Sequence, residues 1–249
     1  INGEYGSNKV RVNRVHLEED VAKLMHRSTK DESYSLLDIN RSGVPLMEIV
    51  SEPDLKSPDQ ARDYLTSLRS ILRYLQVSTA NMEEGSFRCD ANISIRPIGD
   101  TELGPKVEIK NMNSFRAVHK ALTFEEKRQR DCKRTGERIV QETRGWSDQD
   151  GKTFSQRSKE HAHEYRYFRE PDIPPFHINE TEVLELKKSL PELPKVRCAR
   201  FEKSYGLSDK EAEQLTLSKE MADYFEQVIL DASDDIVPLH ARAKSASNW

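Results

Sequence analysis

Hydrophobic and polar positions alternate along several stretches of the chain, as expected for half-buried β-strands. The stretches with strand signals are 9–20, 36–50 on either side of the turn residues Ser42 and Gly43, 87–96, 106–111, 138–146 and 153–157. The alternation is most regular over 87–96, where the odd-numbered positions are apolar and the even-numbered positions are polar. We therefore predict a strand there, with one buried face and one polar face.

Apolar residues recur at helical spacing elsewhere in the chain. One helix is predicted to begin at Ser57, which can cap it, with Pro58 at the first position and an apolar stripe that runs to Leu75. A second is predicted between the capping residue Ser114 and the closing Gly136. Further helical patterns lie at 180–190, 194–205, 209–216 and 219–232.

This change from mixed elements to helices alone predicts two domains. We place the boundary at Pro191–Pro194, with an α+β domain over 1–190, containing a mainly antiparallel sheet and flanking helices, and an all-α domain over 191–249. The chain begins at Ile1 without Met and stops at Trp249, in what reads as the opening of another segment. We therefore expect that both domains are incomplete pieces of a longer protein.

The charge balance, the length of apolar runs and the cysteine spacing exclude several classes of protein. The chain has 39 Lys and Arg against 43 Asp and Glu, a net charge of −4, which argues against a general polyanion binder but allows a local RNA contact. No apolar run approaches the roughly 18–20 residues of a membrane span, so we expect a soluble, intracellular protein. The cysteines Cys89, Cys132 and Cys198 are too dispersed for a disulfide framework or a cysteine zinc site.

The polar faces of two predicted strands carry the candidate chemistry. The residues concerned are Arg88, Asp90, Glu108 and Lys110 on the strands and Glu83 and Glu84 in the turn before them. A second acidic group ends the strand at 9–20, and its members are His16, Glu18, Glu19 and Asp20. Carboxylates dispersed in this way suit Mg²⁺ with nucleotide phosphates better than zinc. A salt-bridged face turned to solvent explains the same pattern, so both interpretations stay open.

Other motifs give weaker signals. The chain contains no G-x-x-x-x-G-K-[ST] loop, no G-x-G-x-x-G, no H-E-x-x-H and no G-x-S-x-G, although a Ser or Cys nucleophile stays open. His161 and His163 have no partner cluster, so a loop or capping role fits them better than metal binding. In the predicted extended loop at 165–175, arginines and aromatic rings either contact RNA or pack the loop.

Four motifs together resemble the B subunit of the aspartyl/glutamyl-tRNA amidotransferases. They are Asp38–Asp54 (DINRSGVPLMEIVSEPD), Met82–Asn92 (MEEGSFRCDAN), Val107–Phe115 (VEIKNMNSF) and Tyr165–Phe168 (YRYF). The resemblance runs from about Val15 to the end of the chain. Two departures are Arg169, where the family usually has proline, and Val21-Ala22, where it usually has Ala-Gly.

The resemblance implies a cradle-like α+β domain and an ATP- and Mg²⁺-dependent carbon–nitrogen ligase. Such a protein phosphorylates the side-chain carboxylate of Glu-tRNA(Gln) or Asp-tRNA(Asn), and ammonia that the amidase (the A subunit) releases from glutamine displaces the phosphate. A small C subunit would complete a heterotrimer, in the bacterial cytoplasm or an organellar matrix.

The resemblance also assigns roles by position. Glu18, Glu19, Asp90 and Glu108 are expected to be catalytic, and Arg88, Lys110, Glu83 and Glu84 to bind ATP. The expected Mg²⁺ ligands are His16, Glu19, Asp90 and Glu108. Two competing hypotheses are a non-catalytic tRNA-binding scaffold protein and the glutamine-hydrolysing amidase, although the amidase would require a Gly/Ser-rich tract and the chain has only 10 Gly.

Overall fold

The structure is a computed structural model that describes residues 8–29, 32–158, 171–172, 174–175, 177–231 and 237–249. The chain divides into two compact units, Ile1–Ala61 and Arg62–Trp249. Within the described ranges, no helix is both long enough and apolar enough to cross a membrane. The described residues form helices together with mainly antiparallel sheets, so the predicted α+β class is confirmed.

The first unit is built from two antiparallel strand pairs. Its strands are β1 (Val12–Glu19), β2 (Lys23–Ser28), β3 (Ser33–Asp38) and β4 (Pro45–Ser51). The predicted strands on either side of Ser42 and Gly43 are present, but β3 pairs with β2 and β4 pairs with β1. Strand β2 was not predicted, because its residues do not alternate regularly.

Asp20, the last acid of the predicted cluster, follows β1 and is hydrogen-bonded to the turn that leads into β4. Asp20 is buried, and its carboxylate lies 3.0 Å from Arg41 Nε. Its backbone N–H donates to the Val44 carbonyl, and its carbonyl accepts from Gly43, whose φ of +80° favours glycine. Asp20 therefore has a structural role in this turn.

The second unit contains a four-stranded sheet in the order β5-β6-β7-β8. Its strands are β5 (Ala91–Ile93), β6 (Val107–Lys110), β7 (Glu142–Ser147) and β8 (Lys152–Ser158). Helix α1 (Pro58–Tyr74) precedes them in the chain. The β6–β7 pair is parallel and the others are antiparallel. The predicted strand at 87–96 is shorter than expected, since only Ala91–Ile93 pairs, although exposed and less exposed side chains alternate from Phe87 onward.

Helix α2 (Phe115–Thr135) makes the crossover between the parallel strands β6 and β7. As predicted, the Ser114 side chain accepts a hydrogen bond from the Ala117 N–H, and Gly136 ends the helix with φ of +79°. Val107 and Ile109 are fully buried on the α2 side of the sheet. The Trp146 ring of β7 packs edge-on against Phe124 of α2, at a centroid distance of 6.4 Å.

The remaining described helices follow the sequence prediction closely. They are α3 (Glu180–Ser189), α4 (Pro194–Tyr205), α5 (Asp209–Leu215), α6 (Lys219–Asp231) and α7 (Leu239–Ser247), of which α7 was not predicted. Phe201, Tyr205 and Phe225 form the aromatic centre of their core. The buried Tyr74 at the end of α1 donates a hydrogen bond to the Thr216 carbonyl at 2.8 Å. The predicted domain boundary near residue 190 stays a prediction.

Candidate functional site

The face of the sheet opposite α2 brings together three of the predicted site residues. Lys110 Nζ lies 2.8 Å from Asp90 Oδ2 and 3.7 Å from Glu108 Oε1. The Asp90 side chain is 48% exposed and that of Glu108 is 15% exposed, so the group is open to solvent on one side. Two carboxylates therefore face one cation at the surface of the sheet, as the polar alternation of 87–96 and 106–111 predicted.

Thr143 of β7 contacts this group and was missed in the sequence. It pairs with Glu108 across the parallel strands, and its hydroxyl donates to Glu108 Oε2 at 2.8 Å. Thr143 is only 1% exposed, so the hydroxyl has little access to water. A threonine within a strand carries no sequence signal for such a contact, because the pairing of β6 with β7 depends on the crossover through α2.

The turn at 82–85 carries Glu83 and Glu84 with exposed side chains. Asn81 and Ser86 close the loop, because the Ser86 hydroxyl accepts from the Asn81 N–H at 2.8 Å and the Asn81 carbonyl accepts from the Ser86 N–H at 3.0 Å. Arg88 is also exposed, two residues before Asp90. All three residues precede Asp90 in the chain and are exposed, and their roles in ATP binding stay predictions.

Cys89 and Cys198, two of the three partly buried cysteines, are poor nucleophiles. Burial, with a smaller contribution from the neighbouring Asp90, raises the pKa of the Cys89 thiol to about 12. Burial also raises the pKa of Cys198. Both thiols are therefore protonated at neutral pH, which argues against cysteine chemistry at either position.

The second acidic group lies in the first unit. His16 and Glu18 point to one side of β1, and Glu19, an odd-numbered neighbour, points to the other side. Desolvation and the nearby Glu48 carboxyl raise the pKa of Glu18, and Glu48 is also paired with His16 across β1 and β4. Glu48 was missed in the sequence, where its signal is a lone acid within an apolar strand. The metal-binding role of His16 and Glu19 stays a prediction.

A second charged cluster lies on the α2 side of the four-stranded sheet. Glu125 is fully buried, accepts from Arg128 at 2.6 Å and 3.0 Å, and accepts from the Thr153 hydroxyl at 3.0 Å. Gln129 donates to the same carboxylate, and Arg144 lies 3.5 Å from it. The cluster is enclosed between α2 and the sheet, so its role is to hold the helix in place.

Among the described residues, Cys198, Glu202 and Asp209 offer three ligand atoms within 4.8 Å of one another. They belong to α4 and α5, away from the predicted chemistry in the sequence. Thiols bind metals as thiolates, and the raised pKa of Cys198 opposes that form. His161, His163 and the aromatic run Tyr165–Phe168 lie outside the described residues.

Comparison with known proteins identifies a family. The GatB/GatE catalytic domain matches residues 1–184 of this chain. The B subunit of the aspartyl/glutamyl-tRNA(Asn/Gln) amidotransferase of Dehalococcoides mccartyi strain CBDB1 is 58% identical over 97% of the chain, and the protein of the same name from Thermomicrobium roseum is 54% identical over the same share. A third such protein, from a Roseiflexus species, is 48% identical over the whole chain.

The chain spans about half the length of these curated relatives, since the matched part covers 49%, 48% and 50% of them. The four motifs that carried the resemblance all fall within the domain match at 1–184. The chain therefore belongs to the GatB/GatE catalytic-domain family.

Proposed function

We propose that this chain is part of the B subunit of a tRNA-dependent amidotransferase, which activates the side-chain carboxylate of Glu-tRNA(Gln) or Asp-tRNA(Asn) with ATP. The activated form is the phosphorylated carboxylate. Ammonia derived from glutamine then displaces the phosphate and forms the amide bond, which makes the enzyme a carbon–nitrogen ligase. The single observation that carries this proposal is the open group of Asp90, Lys110 and Glu108 in a chain of this family.

The donor set of this group suits Mg²⁺. Carboxylate oxygens are the ligands that Mg²⁺ prefers, and in nucleotide sites it commonly takes one or two carboxylates and completes its shell with phosphate oxygens and water. Asp90 and Glu108 already face one positive charge, the Lys110 ammonium, so a cation is compatible with their placement. When bound there, Mg²⁺ would offset negative charge on the phosphates.

The protein's own groups hold the reactants. Asp90 and Glu108 hold the metal, and Lys110 and Arg88 neutralise phosphate oxygens. Thr143 holds the Glu108 carboxylate in one orientation through its 2.8 Å hydrogen bond. Glu83 and Glu84 lie in the turn before Asp90, where they can contact the metal or its water. Within the first unit, taken by itself, His16, Glu18 and Glu19 are proposed as further acidic or metal-binding groups.

The proposed activity requires partners. An amidase, the A subunit, supplies the ammonia, a small C subunit completes the heterotrimer, and a mischarged tRNA is the substrate. The names of the curated relatives describe one subunit of such an enzyme, which supports a multi-subunit complex. Because the mischarged tRNA belongs to protein biosynthesis, we place the activity in the bacterial cytoplasm, or in an organellar matrix for a eukaryotic protein.

The test is Asp90→Asn in the full-length protein, assembled with its partners and given ATP, glutamine and Glu-tRNA(Gln) or Asp-tRNA(Asn). We expect loss of transamidation with tRNA binding retained. The matched control is Asp100→Asn, which changes an exposed acid in a turn. Full transamidation by the Asp90 variant would contradict the proposal and favour a non-catalytic scaffold that holds tRNA.

A further inference from the structure

The open face of the sheet has a second feature beside the acidic group, centred on Gly145 of β7. Gly145 pairs with Lys110 on one side and with Phe154 of β8 on the other, so the three residues form one row across the sheet. A side-chain carbon at Gly145 would lie 2.6 Å from the Phe154 ring and 2.6 Å from the Gln156 amide nitrogen. Both side chains therefore occupy the space that a larger residue at 145 would fill.

A β-bulge brings Gln156 to this position. Thr143 pairs with Arg157 and Arg144 pairs with Ser155, which leaves Gln156 as the extra residue of β8. Bulges of this kind redirect a side chain and are frequent beside active sites. Here the bulge places an amide next to an aromatic ring, over the strand that supplies Thr143.

Both groups remain accessible to a ligand. Phe154 is 44% exposed and Gln156 is exposed, although they lean over a buried glycine. An aromatic ring with an accessible surface can stack on a base, and a glutamine amide offers the donor and acceptor that match N7 and N6 of adenine. The Cα atoms of Phe154 and Lys110 are two strand spacings apart, about 10 Å. This separation leaves room for a base at one end and phosphates at the other.

We propose that Phe154 and Gln156, over Gly145, form a binding site for an adenine base. The inference rests on the proposed function, which supplies two sources of adenine, the nucleotide ATP and the 3′-terminal adenosine of the tRNA. In either case the base stacks on Phe154 and bonds to Gln156, which directs the attached phosphates or aminoacyl group toward Lys110 and Glu108.

The experiment uses the full-length protein in its complex and measures kcat and the KM values for ATP and for the mischarged tRNA. For Phe154→Ala we expect a KM increase of about 5- to 100-fold for the substrate that supplies the base, with a smaller change in kcat. Phe154→Tyr keeps the ring and should restore the KM. Gly145→Ala should raise the same KM, because its methyl group displaces both side chains.

Gln156→Glu keeps an acceptor for N6 but loses the donor for N7. If ATP supplies the base, this change should reduce the preference for ATP over GTP by about 5-fold or more. If the tRNA supplies it, only the KM for tRNA should rise. Val140→Ala, which truncates a side chain that is 55% exposed outside the strands, is the control and should change neither KM.

Either KM increase supports the site and identifies its ligand. The competing explanation is that Phe154 only covers Gly145 and stabilises the sheet. In that case Phe154→Ala lowers the urea midpoint, monitored by the buried Trp146, and leaves both KM values unchanged, which overturns the inference. Because wild-type transamidation and its loss in Asp90→Asn are measured in the same assay, failure of this site is distinguishable from failure of the proposed function.

Discussion

Two charged clusters on opposite faces of one sheet differ in how their carboxylates are satisfied. On the α2 face, Glu125 is fully buried and receives hydrogen bonds from Arg128, Gln129 and Thr153. On the other face, Asp90 is 48% exposed and shares the Lys110 ammonium with Glu108. The first cluster is closed to any ligand, and the second keeps one side accessible.

The difference shows that charge alone does not identify a functional site. Both clusters contain acids and bases at hydrogen-bonding distance, and both use adjacent residues of β7, because Thr143 faces Glu108 and Arg144 faces Glu125. The enclosed charges around Glu125 hold α2 against the sheet. Partial exposure keeps the other set accessible from one side, which the proposed binding of a metal requires.

The largest effect is expected from breaking the closed cluster. Glu125→Gln removes the negative charge that Arg128 and Arg144 face, and should lower the free energy of unfolding by about 3–5 kcal/mol. Urea unfolding followed by the emission of Trp146, which is 5% exposed, measures this loss. The control is Glu126→Gln on the same helix, whose surface pair with Arg130 should contribute less than about 0.5 kcal/mol. Equal losses of unfolding free energy in the two variants would show that the Glu125 charge does not stabilise the fold.

The open cluster should show the reverse pattern. Glu108→Gln in the full-length complex should reduce kcat by roughly 100-fold or more, because the metal ligation proposed for Glu108 would contribute several kcal/mol to the stabilisation of developing charge. Its urea midpoint should stay close to that of the wild type. If stability falls as far as for Glu125→Gln while kcat is retained, the two faces do not differ in the way proposed here.

A smaller change tests whether the open carboxylate is oriented by the protein. Thr143→Val removes the hydroxyl that donates to Glu108, and should raise the Mg²⁺ concentration for half-maximal activity by about 10-fold. Thr143→Ser keeps the hydroxyl and should restore the wild-type requirement. A Val variant with an unchanged Mg²⁺ requirement would limit Thr143 to a packing role.

Local patterns were sufficient to predict much of the fold. Ser114 and Gly136 defined α2 because a cap and a left-handed glycine are encoded within a few residues, and Val107 and Ile109 alternate with polar neighbours. The alternation at 87–96 predicted which side chains face the solvent, but not that only Ala91–Ile93 pairs. Alternation records which face is buried, whereas pairing depends on a partner strand distant in sequence.

The candidate site shows the same division. Asp90 and Glu108 were predicted because each lies on a polar strand face, but Thr143 was missed because it reaches Glu108 through the parallel pairing of β6 with β7. The burial of Glu125 was not predicted, since a glutamate on a charged helix usually faces water. Its position seven residues after the buried Val118 is a signal that could have indicated this.

The smallest expected effect is the pH dependence of the closed cluster, tested at Glu142. Burial raises the pKa of this carboxyl, but hydrogen bonds from Ser155 and Arg144, together with the charges of Arg144 and Arg128, outweigh burial and lower it. A lowered folded-state pKa stabilises the protein above the unfolded-state value near 4.5, and this contribution is lost as the pH falls through the folded-state pKa. Glu142→Gln should therefore be less stable than the wild type at pH 7, and the gap between the two should shrink at acid pH. Urea midpoints read from Trp146 at several pH values measure that gap, with the exposed Glu102→Gln as control, and a gap that stays constant or widens toward acid would show that Glu142 does not stabilise this face through its charge.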